Sequence, residues 1–130
     1  MNHYVADTHA LYWYLTASSN LSAPAKGAFD EGVRGQALIY LPAIVLAELY
    51  YLNKKYGRKI DFAANFVHLE ASTQYVFVPF EARDVLDFDA HSATPEMHDR
   101  IIVGVTLRLN AACITRDREI INSGLVTIIW

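Results

Sequence analysis

Four acidic residues stand where a solvated surface does not explain them. Asp7 directly follows a short extended segment, His3 to Ala6, and Asp117 follows the run Ala112 to Thr115 after one intervening residue, Arg116. Glu48 is the only acid between Glu31 and Asp61, and every other residue from Ile44 to Leu52 is apolar or tyrosine. Desolvating an ionised carboxylate is costly, so Glu48 must reach a basic group or a cation, or its helix face must line a wet cleft. Asp99 opens an apolar stretch running to Leu109, where helical N–H groups favour the ionised form. Taken alone, Asp99 reads equally well as an ordinary N-cap. The other acids, such as Asp30, Glu31, Asp84 and Asp87, fall where solvated faces are expected.

If these four carboxylates converge, they make a site for a hard cation, because Mg2+ and Mn2+ take oxygen ligands and keep several waters. Such a site serves phosphoryl transfer or phosphodiester hydrolysis, with a metal-activated water and stabilised charge on the leaving oxygen. Thr8 and Thr115 adjoin two of the acids and could orient a carboxylate or a bound water; loop capping would use them just as well. No histidine base is required. His9 reads as a residue that turns the chain at the edge of the site, and His98 as a loop residue beside Asp99. His3, His68 and His91 have no supporting context.

The elements that must position these acids alternate in type. After the His3–Ala6 strand and the apolar piece Ala10 to Leu15, Ser22 stands as an N-cap with Pro24 in the first turn of a helix reaching Gly35. Ala37 to Leu41 is a β-type run, and Pro42 opens a helix that Gly57 ends near Tyr56. Asp61 caps a helix carrying Phe62, Phe66, Val67 and Leu69; Tyr75 to Pro79 is β-rich; a helix is expected from about Glu81 to Ala90. A polar link, His91 to His98, leads into the Asp99–Leu109 helix. Ala112 to Thr115 reads as a strand, Asp117 to Asn122 as one or two helical turns, and Leu125 to Trp130 as a last strand. Strands alternating with helices predict a single α/β domain over residues 1–130 with a mostly parallel sheet. In such a sheet chemistry gathers at the carboxyl ends of strands, where strand order reverses. If the first strand lies beside Ala112–Thr115, Asp7 and Asp117 converge.

Other chemistries lack their motifs. The six glycines form neither a G-x-G-x-x-G nor a Walker A loop, and neither G-x-S-x-G nor H-E-x-x-H occurs. The one cysteine, Cys113, lies in an apolar strand and reads as a packed core thiol, so no disulfide or oxidising compartment is implied. With 53% hydrophobic residues in 130, the chain can bury a core, and no apolar run is long enough to span a membrane. The start of the chain shows no basic or apolar leader pattern, so a cytoplasmic location is expected.

In this order and spacing, Asp7-Thr8-His9-Ala10-Leu11-Tyr12-Trp13, Glu48, Asp99-Arg100 and Thr115-Arg116-Asp117 resemble the PIN-domain family, and more narrowly the VapC-type toxin ribonucleases. The resemblance covers essentially the whole chain. It implies a parallel five-stranded sheet of order 3-2-1-4-5 with helices on both faces. It also implies an acidic quartet, Asp7, Glu48, Asp99 and Asp117, binding Mg2+ or Mn2+ for RNA cleavage, with Asp7 and Asp99 as the first ligands. Before Asp99 the chain departs from the family pattern, which often has an aromatic residue there, and this leaves Glu96 as a competitor in register. Toxins of this type are held by a small antitoxin and commonly form homodimers. A housekeeping RNA-processing nuclease and a catalytically silent PIN-like binding module are the alternatives.

Partner contacts have candidates too. Tyr12, Trp13, Tyr14, Tyr50 and Tyr51 are an aromatic load near the site segments, divided between interface and core roles. Lys54, Lys55, Arg58 and Lys59, and beside the acids Arg100, Arg116 and Arg118, are candidate phosphate contacts, against a plain solvated charge run. A net charge of −3, from 11 basic and 14 acidic side chains, argues at first against a nucleic-acid partner. Setting the quartet aside reverses the balance, and each bound divalent ion would add two positive charges locally.

Overall fold

Short apolar runs pair in parallel when helices cover both of their faces, and that is how this chain folds. A computed structural model describes residues 1–130. Its elements in order are β1 (Asn2–Ala6), α1 (Thr8–Leu15), α2 (Ala23–Val33), β2 (Ala37–Pro42), α3 (Ala43–Lys55), α4 (Phe62–Ala71), β3 (Tyr75–Val78), α5 (Met97–Arg108), β4 (Ala112–Ile114), α6 (Arg118–Ser123) and β5 (Ile128–Ile129). Every strand pairing is parallel and the sheet order is β3-β2-β1-β4-β5, as expected. The order reverses between β1 and β4. There Ala6 pairs with Ile114, and the Asp7 N–H continues the ladder to the Ile114 carbonyl at 3.1 Å. The segments after both strands therefore emerge side by side.

The core beneath these strand ends is apolar. Val5, Leu11, Phe29, Ile39, Leu41, Val45, Leu49, Val103, Ile114 and Ile120 are fully buried, and Cys113 lies among them. The sequence signals for helix starts correspond to real caps: Ser22 Oγ accepts from the Ala25 N–H at 3.2 Å, and Asp61 Oδ1 from the Ala64 N–H at 3.1 Å. Past α3, Gly57 takes a φ of +82°, which a side chain would resist. No helix is long and apolar enough to cross a membrane.

Three expectations are corrected. The helix expected from Glu81 to Ala90 is instead two 3-10 turns, Ala82–Asp87 and Asp89–His91. A capping box between Glu81 and Asp84 starts the first turn, but nothing in Ala82–Asp87 is buried, so no apolar face repays an α-helix. Asp84 and Asp87 are instead bracketed by Arg108, each at 3.4 Å. The helix expected to open at Asp99 begins at Met97, with Glu96 as its N-cap. The last strand is confined to Ile128–Ile129 within the expected Leu125–Trp130.

Candidate active site

Asp7 directly follows β1 and caps α1, accepting a hydrogen bond from the Ala10 N–H at 2.9 Å. Its other oxygen accepts from the hydroxyl of Thr115, a fully buried residue just past β4. The same hydroxyl accepts the Asp117 N–H at 2.9 Å, so one buried threonine ties the ends of the two central strands together. Asp117 in turn caps α6, taking the Glu119 and Ile120 N–H groups on Oδ1 at 2.8 and 3.2 Å. Burial pushes the Asp7 carboxyl up to about 6, against the pull of the Thr115 and Ala10 hydrogen bonds.

Glu48 comes from α3, placed by Val45, Leu46 and Leu49, which are buried on the core side of that helix. Thr8 donates to Glu48 Oε1 at 2.9 Å, and His98 Nδ1 lies 3.4 Å from Oε2. His98 Nδ1 also lies 3.3 Å from Glu96, whose second oxygen caps the Asp99 N–H at 3.0 Å. Asp99 is therefore not an N-cap: Glu96 performs that task, and the Asp99 carboxylate accepts no hydrogen bond from the chain. Its pKa is pushed up to about 7, first by burial and then by Asp117, Glu96, Glu48 and Asp7. The four candidate acids thus line one cleft of about 740 Å3, together with Thr8, Glu96, Glu119 and His98.

No three of these side chains, as they stand, form a cluster that would hold a metal ion. The donor set nevertheless suits a hard cation. It offers carboxylate oxygens from four separate elements and no thiol, and Asp99 has no partner of its own. Like charges facing one another raise pKa values in this way, and a dication among them would reverse the effect.

A second cleft, of about 710 Å3, shares Asp7, His9 and Asp117 with the first and runs past Tyr12, Trp13, Ser18–Asn20 and Tyr56 to Lys59 and Arg116. Arg116 lies over the Trp13 ring, 4.4 Å from its centroid, and 5.9 Å from that of Trp130. The candidate phosphate contacts therefore divide. Lys55 lines the acidic cleft, while Lys59 and Arg116 line the second. Lys54, Arg58 and Arg118 are exposed and line neither. Arg100 also lines neither: its Nε donates to the Thr94 carbonyl at 2.6 Å, pinning the loop before α5. Of the aromatic load, Tyr12 is buried, Tyr14 stacks on Phe29 at 4.4 Å, and Tyr50 and Tyr51 are exposed on α3.

Sequence reasoning missed Glu119 and Ser18–Asn20 as cleft residues, and Trp130 as a neighbour of Arg116. Only Glu119 carried a signal, as an acid two residues beyond Asp117. Glu31 is more than a solvated acid, since it accepts from the Tyr4 hydroxyl and the Asn2 amide, each at 2.8 Å.

Strand order and cleft together describe a parallel α/β domain with an oxygen-donor site at its switch point. The chain belongs to the PIN domain family, which it matches over residues 4–123, and members of that family are generally nucleases that use divalent metal ions. Two solved structures share the fold. One is VapBC2 from Rickettsia felis, determined bound to a DNA fragment from its promoter, with a TM-score of 0.67, 15% identity and coverage of 97% of this chain and 96% of that one. The other is PAE2754 from Pyrobaculum aerophilum, with a TM-score of 0.65, 18% identity and coverage of 98% and 83%. No curated protein matches the chain in sequence.

Proposed function

We propose that this protein is an Mg2+- or Mn2+-dependent endoribonuclease and the toxin of a type II toxin–antitoxin pair, acting in the cytoplasm. The observation that carries this reading is Asp99, a carboxylate without a hydrogen-bond partner that faces three others across one cleft. Asp7 and Asp99 would hold the ion, with Glu48 and Asp117 completing the shell directly or through water. When bound, the ion supplies an activated water and a counter-charge for the leaving oxygen. The chain's own part is positional. Thr115 aims Asp7, Thr8 aims Glu48, and the α6 N-terminus holds one oxygen of Asp117, leaving the other free.

Membership of the PIN family supports the nuclease, and the fold shared with the Rickettsia felis VapBC2 structure favours a toxin with a small protein antitoxin. The exposed Tyr50 and Tyr51 offer anchors for that partner or for a second copy in a homodimer. Induced expression tests the reading. Wild type should arrest growth, Asp7→Asn and Asp99→Asn should not, and co-expression of the adjacent small reading frame should restore growth. Purified wild type should cut RNA with Mg2+ or Mn2+ and stop in EDTA. Cleavage without growth arrest would favour a housekeeping nuclease, and no metal-dependent cleavage a binding module.

A further inference from the structure

The two clefts that meet at Asp7 and Asp117 differ in charge. The acidic one holds six carboxylates. The other has no acid beyond the shared pair and carries two cations, Lys59 and Arg116. Arg116 adjoins Asp117 in sequence yet forms no ion pair with it. Nor does its guanidinium donate a hydrogen bond to any other acceptor in the chain; its contacts are the faces of Trp13 and Trp130, whose own centroids lie 5.9 Å apart. Stacking on indole holds a guanidinium in place without consuming its N–H donors, which the flexible point charge of lysine cannot reproduce. In the same cleft the Tyr12 hydroxyl is buried and meets no partner within the chain. A stacked cation with unspent donors, facing a cleft that holds a second cation and no acid of its own, has the chemistry of an oxyanion seat.

We propose that Arg116 binds the RNA phosphate next to the scissile one, and that Trp13 and Trp130 are its positioning residues. The inference rests on the nuclease reading only for the identity of the ligand. A strand whose scissile phosphate lies at the acids must leave the site through an opening, and this arm carries cations without acids of its own. The arm therefore sets the direction in which the strand leaves the acidic cleft.

The chain has two tryptophans, and both are in this stack, so their emission reports on it directly. Metal-free protein is titrated with a labelled single-stranded RNA oligonucleotide over a range of salt, following anisotropy and tryptophan emission. Wild type should bind with a salt-dependent constant and a change in emission. Arg116→Ala should reduce the slope of log K against log salt by about 0.7, one single-strand phosphate contact. It should also weaken binding about tenfold, as the loss of one charge-assisted hydrogen bond implies, and abolish the emission change. Arg116→Lys should keep the slope but bind more weakly, and Trp130→Leu should behave likewise. Arg116 is exposed and has no hydrogen bond to lose, so its variants test the site without unfolding it. An unchanged slope in Arg116→Ala, or full affinity in Arg116→Lys, overturns the proposal. If wild type cuts RNA and the slope is unchanged, the anion seat alone falls. If wild type binds as described but never cuts with metal, the nuclease reading falls, and with it the placement beside a scissile phosphate, while Arg116 stands as an RNA-phosphate seat. Absence of binding overturns the seat itself.

Discussion

Replacing Asp7 by asparagine isolates the electrostatic cost of keeping this carboxylate buried at neutral pH. Asparagine retains the acceptor that caps the Ala10 N–H, and a reoriented Thr115 hydroxyl can still pair with the amide, so the change removes mainly the charge. Asp7 titrates near 6 in the folded chain against an ordinary 3.8. The folded state thus keeps a proton that the unfolded state has already released, and stability is lost as pH rises between these values. At 1.36 kcal/mol per pKa unit the loss is about 3 kcal/mol, complete above pH 6. Asp99, with a pKa near 7, extends the fall toward neutrality by a smaller amount, because it is only half-buried and solvent screens it. Urea unfolding in EDTA at pH 4.5 and 7.5 checks this. Because the unfolded carboxyl is already mostly ionised at pH 4.5, Asp7→Asn should gain about 2 kcal/mol relative to wild type on going to the higher pH, roughly 7 °C in Tm for a domain of this size. Adding Mg2+ at pH 7.5 should stabilise wild type and leave the variant unmoved. A difference between the two proteins that does not vary with pH would refute the assignment of Asp7 as a buried, uncompensated carboxylate.

Three further outcomes follow from the geometry. Thr115→Val removes the hydroxyl that favours ionised Asp7, so the pH midpoint of Mg2+ binding by calorimetry should move upward; Thr115→Ser should restore it, and stability should drop by about 1–3 kcal/mol. Leu49→Ala opens a cavity beneath the helix that carries Glu48; denaturant unfolding should show a loss of about 2–5 kcal/mol, with weaker metal binding than an equally destabilised variant remote from α3. Arg108→Ala frees Asp84 and Asp87 on the surface; limited proteolysis within 82–91 should accelerate while global stability changes by less than about 1 kcal/mol.

Much of the scaffold was legible because its signals are local. Ser22, Asp61 and Gly57 mark helix ends through hydrogen bonds or dihedrals that involve only near neighbours. Glu48 stood out because an acid inside an apolar helix is costly wherever that helix goes. Asp99 was found for a partly mistaken reason: it sits in the first turn of α5, but the cap is Glu96, and a one-turn shift of that kind depends on which carboxylate the loop after Thr94 delivers to the N–H groups. The 3-10 turns at 82–91 were misread as a helix because spacing alone does not reveal that Val85 and Leu86 have no core to face.

Alternating periodicity and the placement of acids after apolar runs determined, from the sequence alone, a parallel α/β domain with candidate chemistry at strand ends. Those properties follow from short-range sterics and from the cost of burying charge, which act residue by residue. Tertiary structure decided which groups meet. The pairing of β1 with β4 brings Thr115, 108 residues away in sequence, onto Asp7. Packing also turned Arg100 into a loop clamp while holding Arg116 over Trp13 and near Trp130. Two arginines, each directly beside a candidate acid, thus came to opposite uses, because a side chain's partner is set by the surface that folding brings to it and not by its neighbours along the chain.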